Sequence, residues 1–158
     1  APGAGGLTLL PYFDGERTPD RPGASGVLAG LRSDVSRAQL ARSAFEGVVC
    51  GLLDAYDALA TLVPTGGRLL LTGGGARSAA FRQVLADLAG REITVPEVEE
   101  AVATGACVQA AAVLLQREPA DVAGEWSLRG GVMVEPGPGA TASAEVRAGY
   151  HARRDREA

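Results

Sequence analysis

The chain has 158 residues, 46% of them hydrophobic, enough for one ordinary domain with a core and too apolar for whole-chain disorder. Its net charge of −4, from 15 basic and 19 acidic residues, argues against nucleic acid as the main partner. All 15 basic residues are Arg, so Schiff-base Lys chemistry and a P-loop Lys are both excluded.

His151 is the only histidine and lies near the C-terminus, which leaves no basis for a His-based metal site or a Ser–His pair in the core. Cys50 and Cys107 each sit inside an apolar helical pattern. They are expected as small buried residues, with neither metal spacing nor a disulfide framework. That usage suits a reducing, cytoplasmic setting. No apolar run approaches a membrane span and no charged-then-apolar leader opens the chain, so a membrane partner is not expected.

In chain order, residues 1–6 read as a loop and residues 7–13 as a short buried strand or apolar loop stopped by Pro11. An irregular stretch follows from Asp14 to about Ser33. Its charged cluster, Asp14, Glu16, Arg17, Asp20 and Arg21, either faces a cleft or forms a solvated loop with local ion pairs.

Ser36 and Gln39 make a capping-box pattern. A long helix follows, with a stripe of Leu40, Ala44, Phe45, Val48, Val49, Leu52, Leu53, Tyr56, Leu59, Leu62 and Val63, ended by Pro64 and Gly66. Gly47 and Gly51 lie inside this helix at a cost of about 1 kcal/mol each against Ala, which points to close backbone packing first and to ligand approach as the alternative.

Arg68–Leu71 is a short apolar run that breaks into Gly73-Gly74-Gly75-Ala76-Arg77, with Ser78 as N-cap of a helix carrying Phe81, Leu85 and Leu88. Such a strand–glycine turn–helix unit either aims backbone at a ligand or is only a tight connection. Glu92–Pro96 reads as a second strand. Glu97, Glu99 and Glu100 then precede a small-residue helix, Ala101 to about Gln116, suited to sit tightly on a sheet or helix and closed by Glu118-Pro119. Residues 120–131 are ambiguous, with Trp126 as a packing anchor. Val132–Val134 reads as a strand, Glu135–Gly139 as a loop, and Thr141–Arg154 as a last helix. The alternation of strand and helix argues α/β with three or four strands.

The residues also resemble a known family. Gly26-x-Leu28-x-Gly30-Leu31, then seven residues, then Gln39-Leu40-x-x-Ser43-Ala44-Phe45-Glu46 is similar to the second signature of the FGGY carbohydrate kinases. Leu10-Pro11-Tyr12-x-x-Gly15-Glu16-Arg17-Thr18-Pro19 resembles the segment that xylulose-kinase members carry just before it. Thr72-Gly73-Gly74-Gly75-Ala76-Arg77-Ser78 resembles the family's adenosine motif, and Glu100-Ala101-x-Ala103-x-Gly105-Ala106 the small-residue helix that follows.

The resemblance implies an α/β fold, part of an actin-like, ribonuclease H-like domain with few short strands and several packed helices. It implies a parent enzyme that moves the γ-phosphoryl of ATP, with Mg2+, to a sugar hydroxyl, most like D-xylulose going to D-xylulose 5-phosphate. Carried over by position, Gly74, Gly75 and Ala76 approach the adenosine and Ser78 stands beside them at the helix start. Gly47 and Gly51 are expected to help the long helix pack near that site, and the Gly15-Glu16-Arg17 loop to lie near the cleft.

Residues 1–158 read as the C-terminal, nucleotide-binding domain truncated at its N-terminal side, with 1–6 and 155–158 as loose ends. No catalytic or metal residue is assigned; the catalytic Asp is expected outside this chain, so the chain alone is expected to be inactive. Its expected partners are ATP, a small sugar and the N-terminal domain of the parent, with dimerisation or strand sharing to complete the sheet. Gluconate, ribulose or glycerol kinases are the alternatives within the family. Two readings of other classes remain: a Rossmann-like module for NAD or a methyl donor, with Glu97 as the ribose acid, and a non-catalytic interaction domain.

Overall fold

The capping box forms as expected: Ser36 N–H donates to Gln39 Oε1 at 2.8 Å and Gln39 N–H donates to Ser36 Oγ at 3.3 Å. It starts α1 (Arg37–Ala60), the longest element of this computed structural model, which describes residues 1–98, 100–128 and 130–156. The buried face of α1 is Ser43, Glu46, Gly47, Val49, Cys50 and Leu53. Leu40, Val48, Leu52 and Leu59, expected on the buried stripe, are exposed. The helix is apolar over most of its circumference, so periodicity alone does not choose a face. Backbone proximity chooses it: a Cβ on Gly47 would stand 2.4 Å from the Leu9 carbonyl oxygen. The glycine is there to let α1 lie directly on the strand that contains Leu9.

That strand is β1 (Thr8–Leu10), paired antiparallel with β2 (Val27–Ala29) in the register Leu9↔Leu28. β2 falls inside the stretch expected to be irregular; at three residues it is too short to show a period. Residues 2–6, read as a loop end, form a tight turn docked on α1, with Ala4 1% exposed and Gly3 N–H donating to Glu46 Oε1 at 2.9 Å.

The second sheet joins β3 (Leu69–Leu70), β4 (Ile93–Pro96) and β5 (Gly131–Val134), with β3 and β4 parallel and β5 antiparallel to β4. The β3–β4 crossover is α2 (Ala79–Ala89). A single core unites Leu10 and Tyr12, Val49 and Leu53 of α1, Leu71, Ala76, Val84, Leu85 and Leu88 around α2, Ile93 of β4, and Tyr150. Tyr150 belongs to α5 (Ser143–Arg154), the expected last helix.

The remaining helices depart from expectation. The small-residue helix, α3 (Ala101–Leu115), does not sit on the sheet. Only Val108 and Ala112 are buried, against Val122 of α4 (Pro119–Glu125), while Val102, Val113 and Leu114 are 80–90% exposed. Pro119 opens α4, where the sequence suggested only the end of α3. Cys107, expected buried, is exposed on α3, and Trp126, expected as an anchor, is 44% exposed. Of the three acids before α3, Glu99 lies outside the described residues.

Candidate functional site

The site grows out of the end of β3. Leu71 N–H donates to Thr94 O at 2.9 Å, which extends the parallel pairing one residue beyond β3 and holds the chain against β4 until the turn. Gly73 then takes φ +89°, a left-handed value that L side chains rarely adopt, and redirects the chain. Residues 74–77 make one 3-10 turn, with Ala76 N–H donating to Gly73 O and Ser78 N–H to Gly75 O, both at 3.1 Å. Ser78 ends the turn and caps α2, its Oγ accepting from Phe81 N–H at 3.3 Å.

The four residues singled out from the sequence therefore lie on one turn and its C-cap, in four different environments. Gly74 is exposed, and a Cβ built there meets nothing within 4 Å. Gly75 is also exposed, but a Cβ there would come 3.2 Å from the Phe81 ring. Ala76 is 8% exposed and belongs to the core, so it anchors the turn. Ser78 spends its hydroxyl on the helix cap. Gly73 and Gly74 together leave bare backbone facing outward, a surface on which a flat ring can lie without a side chain in the way.

Beside the turn is a cleft of about 90 Å3, with Thr72, Gly73, Ala76 and Arg77 on one side and Val95, Pro96 and Val98 on the other. Ligand sites usually enclose about 300–1,000 Å3, so this cleft by itself is too small for a nucleotide, and of the four singled-out residues only Ala76 lines it. Arg77, within the Thr72–Ser78 motif, lines the cleft because of the 3-10 turn, a shape the sequence pattern does not reveal. No acid occurs between residues 68 and 78, and Arg77 and Arg82 are the charged residues at this end of α2.

Two expected neighbours are elsewhere. Gly47 and Gly51 do not bring α1 to the turn: the first abuts Leu9 and the second faces the Tyr150 hydroxyl, 3.4 Å from a built Cβ. α1 reaches the turn instead through Phe45, whose ring stands edge-to-face with Phe81 at 6.2 Å. In the charged loop, Glu16 is used locally, its Oε1 accepting from the N–H groups of Arg17 at 2.7 Å and Thr18 at 3.1 Å. Arg21 reaches α5, donating from Nη1 to Arg154 O at 2.5 Å.

The back of α2 is fixed by Asp87, which is 3% exposed and accepts from Gly137 N–H at 2.7 Å and Gln83 Nε2 at 2.9 Å. Arg91, just past α2, donates to Tyr56 Oη at 3.1 Å and to Gly67 O at 2.5 Å. These bonds tie both ends of the β3–α2 unit to the rest of the chain, so the turn is carried on a rigid frame. Among the described residues no group of three or more His, Cys, Asp or Glu side chains is placed to cage a metal ion.

Known proteins resemble the chain in sequence and in fold. The C-terminal domain of the FGGY family of carbohydrate kinases matches residues 1–114. A xylulose kinase of Streptomyces rubiginosus is 46% identical over 131 residues, which cover 82% of this chain and 27% of that protein. A gluconokinase of Bacillus licheniformis is 39% identical over 110 residues, 68% of this chain and 21% of the relative. The crystal structure of xylulose kinase from Bifidobacterium adolescentis superposes with a TM-score of 0.75 at 39% identity, over 98% of this chain and 29% of that one. The chain thus spans about a quarter of the length of the curated relatives it matches.

Proposed function

Because the chain belongs to the FGGY family of carbohydrate kinases, in the part that forms its C-terminal domain, we propose that it is the adenosine-binding half of a sugar kinase. Its fold is part of the actin-like, ribonuclease H-like domain of these enzymes. The activity is transfer of the γ-phosphoryl of ATP to a sugar hydroxyl, with D-xylulose as the sugar; the 46% identity to a xylulose kinase supports that choice. The gluconokinase relative favours gluconate as the second reading.

The observation that carries the proposal is the open glycine turn between β3 and α2. In this reading Gly74 and Gly75 lie against the adenine and ribose, Ala76 holds the turn to the core, and Ser78 fixes the start of α2. The bare backbone fits a nucleotide face, because a Cβ at Gly74 has free space where a base would lie. Mg2+ would supply charge neutralisation at the phosphates. The described residues offer it no ready-made cage, so none of them is assigned to it.

Phosphoryl transfer depends on positioning and on charge stabilisation around the phosphates. The turn contributes to positioning alone. The sugar-binding groups, the phosphate loops and the Asp base are expected in the portion of the relatives that this chain does not span, and the 158 residues by themselves are proposed to bind nucleotide without turning it over.

Titration calorimetry with ATP, NAD and S-adenosylmethionine tests the reading. ATP should bind best. Preference for NAD would replace the kinase reading with a dinucleotide module.

A further inference from the structure

A cavity of about 500 Å3 lies away from the glycine turn, between residues 2–9, one face of α1 and one face of α5. It contains none of Gly74, Gly75, Ala76 or Ser78. Its volume is that of a small-molecule site, and its lining mixes apolar residues such as Leu7, Leu9 and Val146 with a few polar side chains. From α1 come Ser43 and Glu46, which are 2% and 4% exposed, so the hydrogen-bonding groups at its floor are buried and held. Glu46 Oε1 accepts from Gly3 N–H at 2.9 Å and from Arg42 Nε at 2.6 Å, which neutralises its charge and fixes its carboxylate against the cavity. Ser43 Oγ donates to Leu40 O at 2.8 Å, leaving its lone pairs as acceptors. Thr8 of β1 adds a third hydroxyl-bonding group.

The other end of the cavity has the opposite character. Arg153 and Arg156 line it, as does Glu145 nearer the start of α5, and among the described residues neither arginine has an ion-pair partner. Arg154, between them in sequence, is spent on Asp54 and Asp155. Basic residues are favourable at a helix C-terminus. That accounts for their presence near the end of α5, but not for two guanidinium groups lining a cavity that also holds Thr8, Ser43 and Glu46.

We propose that this cavity binds a small phosphorylated polyol of the sugar phosphate class. Its hydroxyls bond to Glu46, Ser43 and Thr8, and its phosphate sits between Arg153 and Arg156. A carboxylate with fixed geometry pairs well with sugar hydroxyls, and guanidinium groups match phosphate oxygens two at a time. The assignment rests on the lining alone and not on the kinase reading, so each can fail without the other.

The test is titration calorimetry of the chain with ribose 5-phosphate, ribitol and inorganic phosphate, using wild type, the double variant Arg153→Ser/Arg156→Ser, and Ser43→Ala. Ribose 5-phosphate should bind at a single site, tighter than ribitol or phosphate by about tenfold or more. The double variant, altered at the exposed end of α5 and checked for fold by circular dichroism, should lose about tenfold or more for ribose 5-phosphate. It should keep the wild-type affinity for ATP. Ser43→Ala should weaken ribose 5-phosphate and ribitol by the same factor and leave phosphate unchanged. Three results would overturn the proposal: no binding at millimolar ribose 5-phosphate, equal affinity for phosphate alone, or undiminished affinity in the double variant.

Discussion

Gly47→Ala and Gly51→Ala are the same substitution one turn apart in α1, yet the structure predicts opposite signs. In a solvated helix, Gly→Ala stabilises by about 0.8–1 kcal/mol. At Gly51 the new methyl would face the Tyr150 hydroxyl at 3.4 Å, an ordinary contact, so most of that gain should appear. At Gly47 it would stand 2.4 Å from Leu9 O, 3.1 Å from Leu9 Cβ and 3.2 Å from Leu9 C, and backbone cannot rotate away. Either α1 or β1 must move, and overpacking of that kind costs about 1–3 kcal/mol. With three atoms in the way we take the upper end, and subtracting the propensity gain leaves a net loss of about 2 kcal/mol. Urea unfolding of both variants, followed by circular dichroism, measures the pair. A Gly47→Ala protein as stable as wild type would refute the packing of α1 on β1.

Three further outcomes follow from the same structure. Burial pushes the Cys50 thiol up to about 12, so the unfolded chain loses this proton first. The stabilisation is then complete below about pH 9 and lost as pH rises toward 12, with a slope of at most about 1.4 kcal/mol per pH unit. Cys50→Ala should remove that part of the alkaline decline, and an unchanged slope would count against it. Tyr150, also raised by burial and by its hydrogen bond to Tyr12, adds a decline at higher pH in both proteins. Asp54→Ala should cost about 1–3 kcal/mol, because the Asp54 carboxylate, 7% exposed, binds His151 Nε2 and Arg154 Nη1 at 2.7 Å each; a loss below about 0.5 kcal/mol would mean the clamp is solvent-screened. In a coupled assay the chain should phosphorylate neither D-xylulose nor gluconate, and measurable turnover of either would show that these residues hold more of the catalytic machinery than a nucleotide wall.

Where local chemistry decides a feature, it was legible in the residues. Ser36 with Gln39, and Ser78 with the helix after it, announce their helix starts because capping is settled within four residues. The β3–turn–α2 unit was equally visible, since three successive glycines after an apolar run have few other uses. Tertiary contact decided the rest. Which face of α1 is buried depends on Leu9, far away in sequence, and a helix with apolar residues around most of its circumference gives little preference of its own. The exposed surface of α3 is built of Ala and Val that would suit a buried helix equally well, so Cys107 was misplaced with them. β2 is too brief to carry a pattern. At the candidate site, the identity of the turn could be read but its shape could not. Nothing in Gly-Gly-Gly-Ala reveals that Gly74 faces open space while Gly75 is backed by Phe81.

That difference supplies the most direct measurement of the central claim, that the turn is the adenosine wall. Gly74→Val places a side chain in empty space at a position without a left-handed φ, so the fold should be unchanged. Gly75→Val would also strike Phe81 and confuse binding with packing. Calorimetric ATP affinity of wild type and Gly74→Val, with unfolding curves as control, should show a loss of about tenfold or more at unchanged stability. Equal ATP affinity in the two proteins would contradict the assignment.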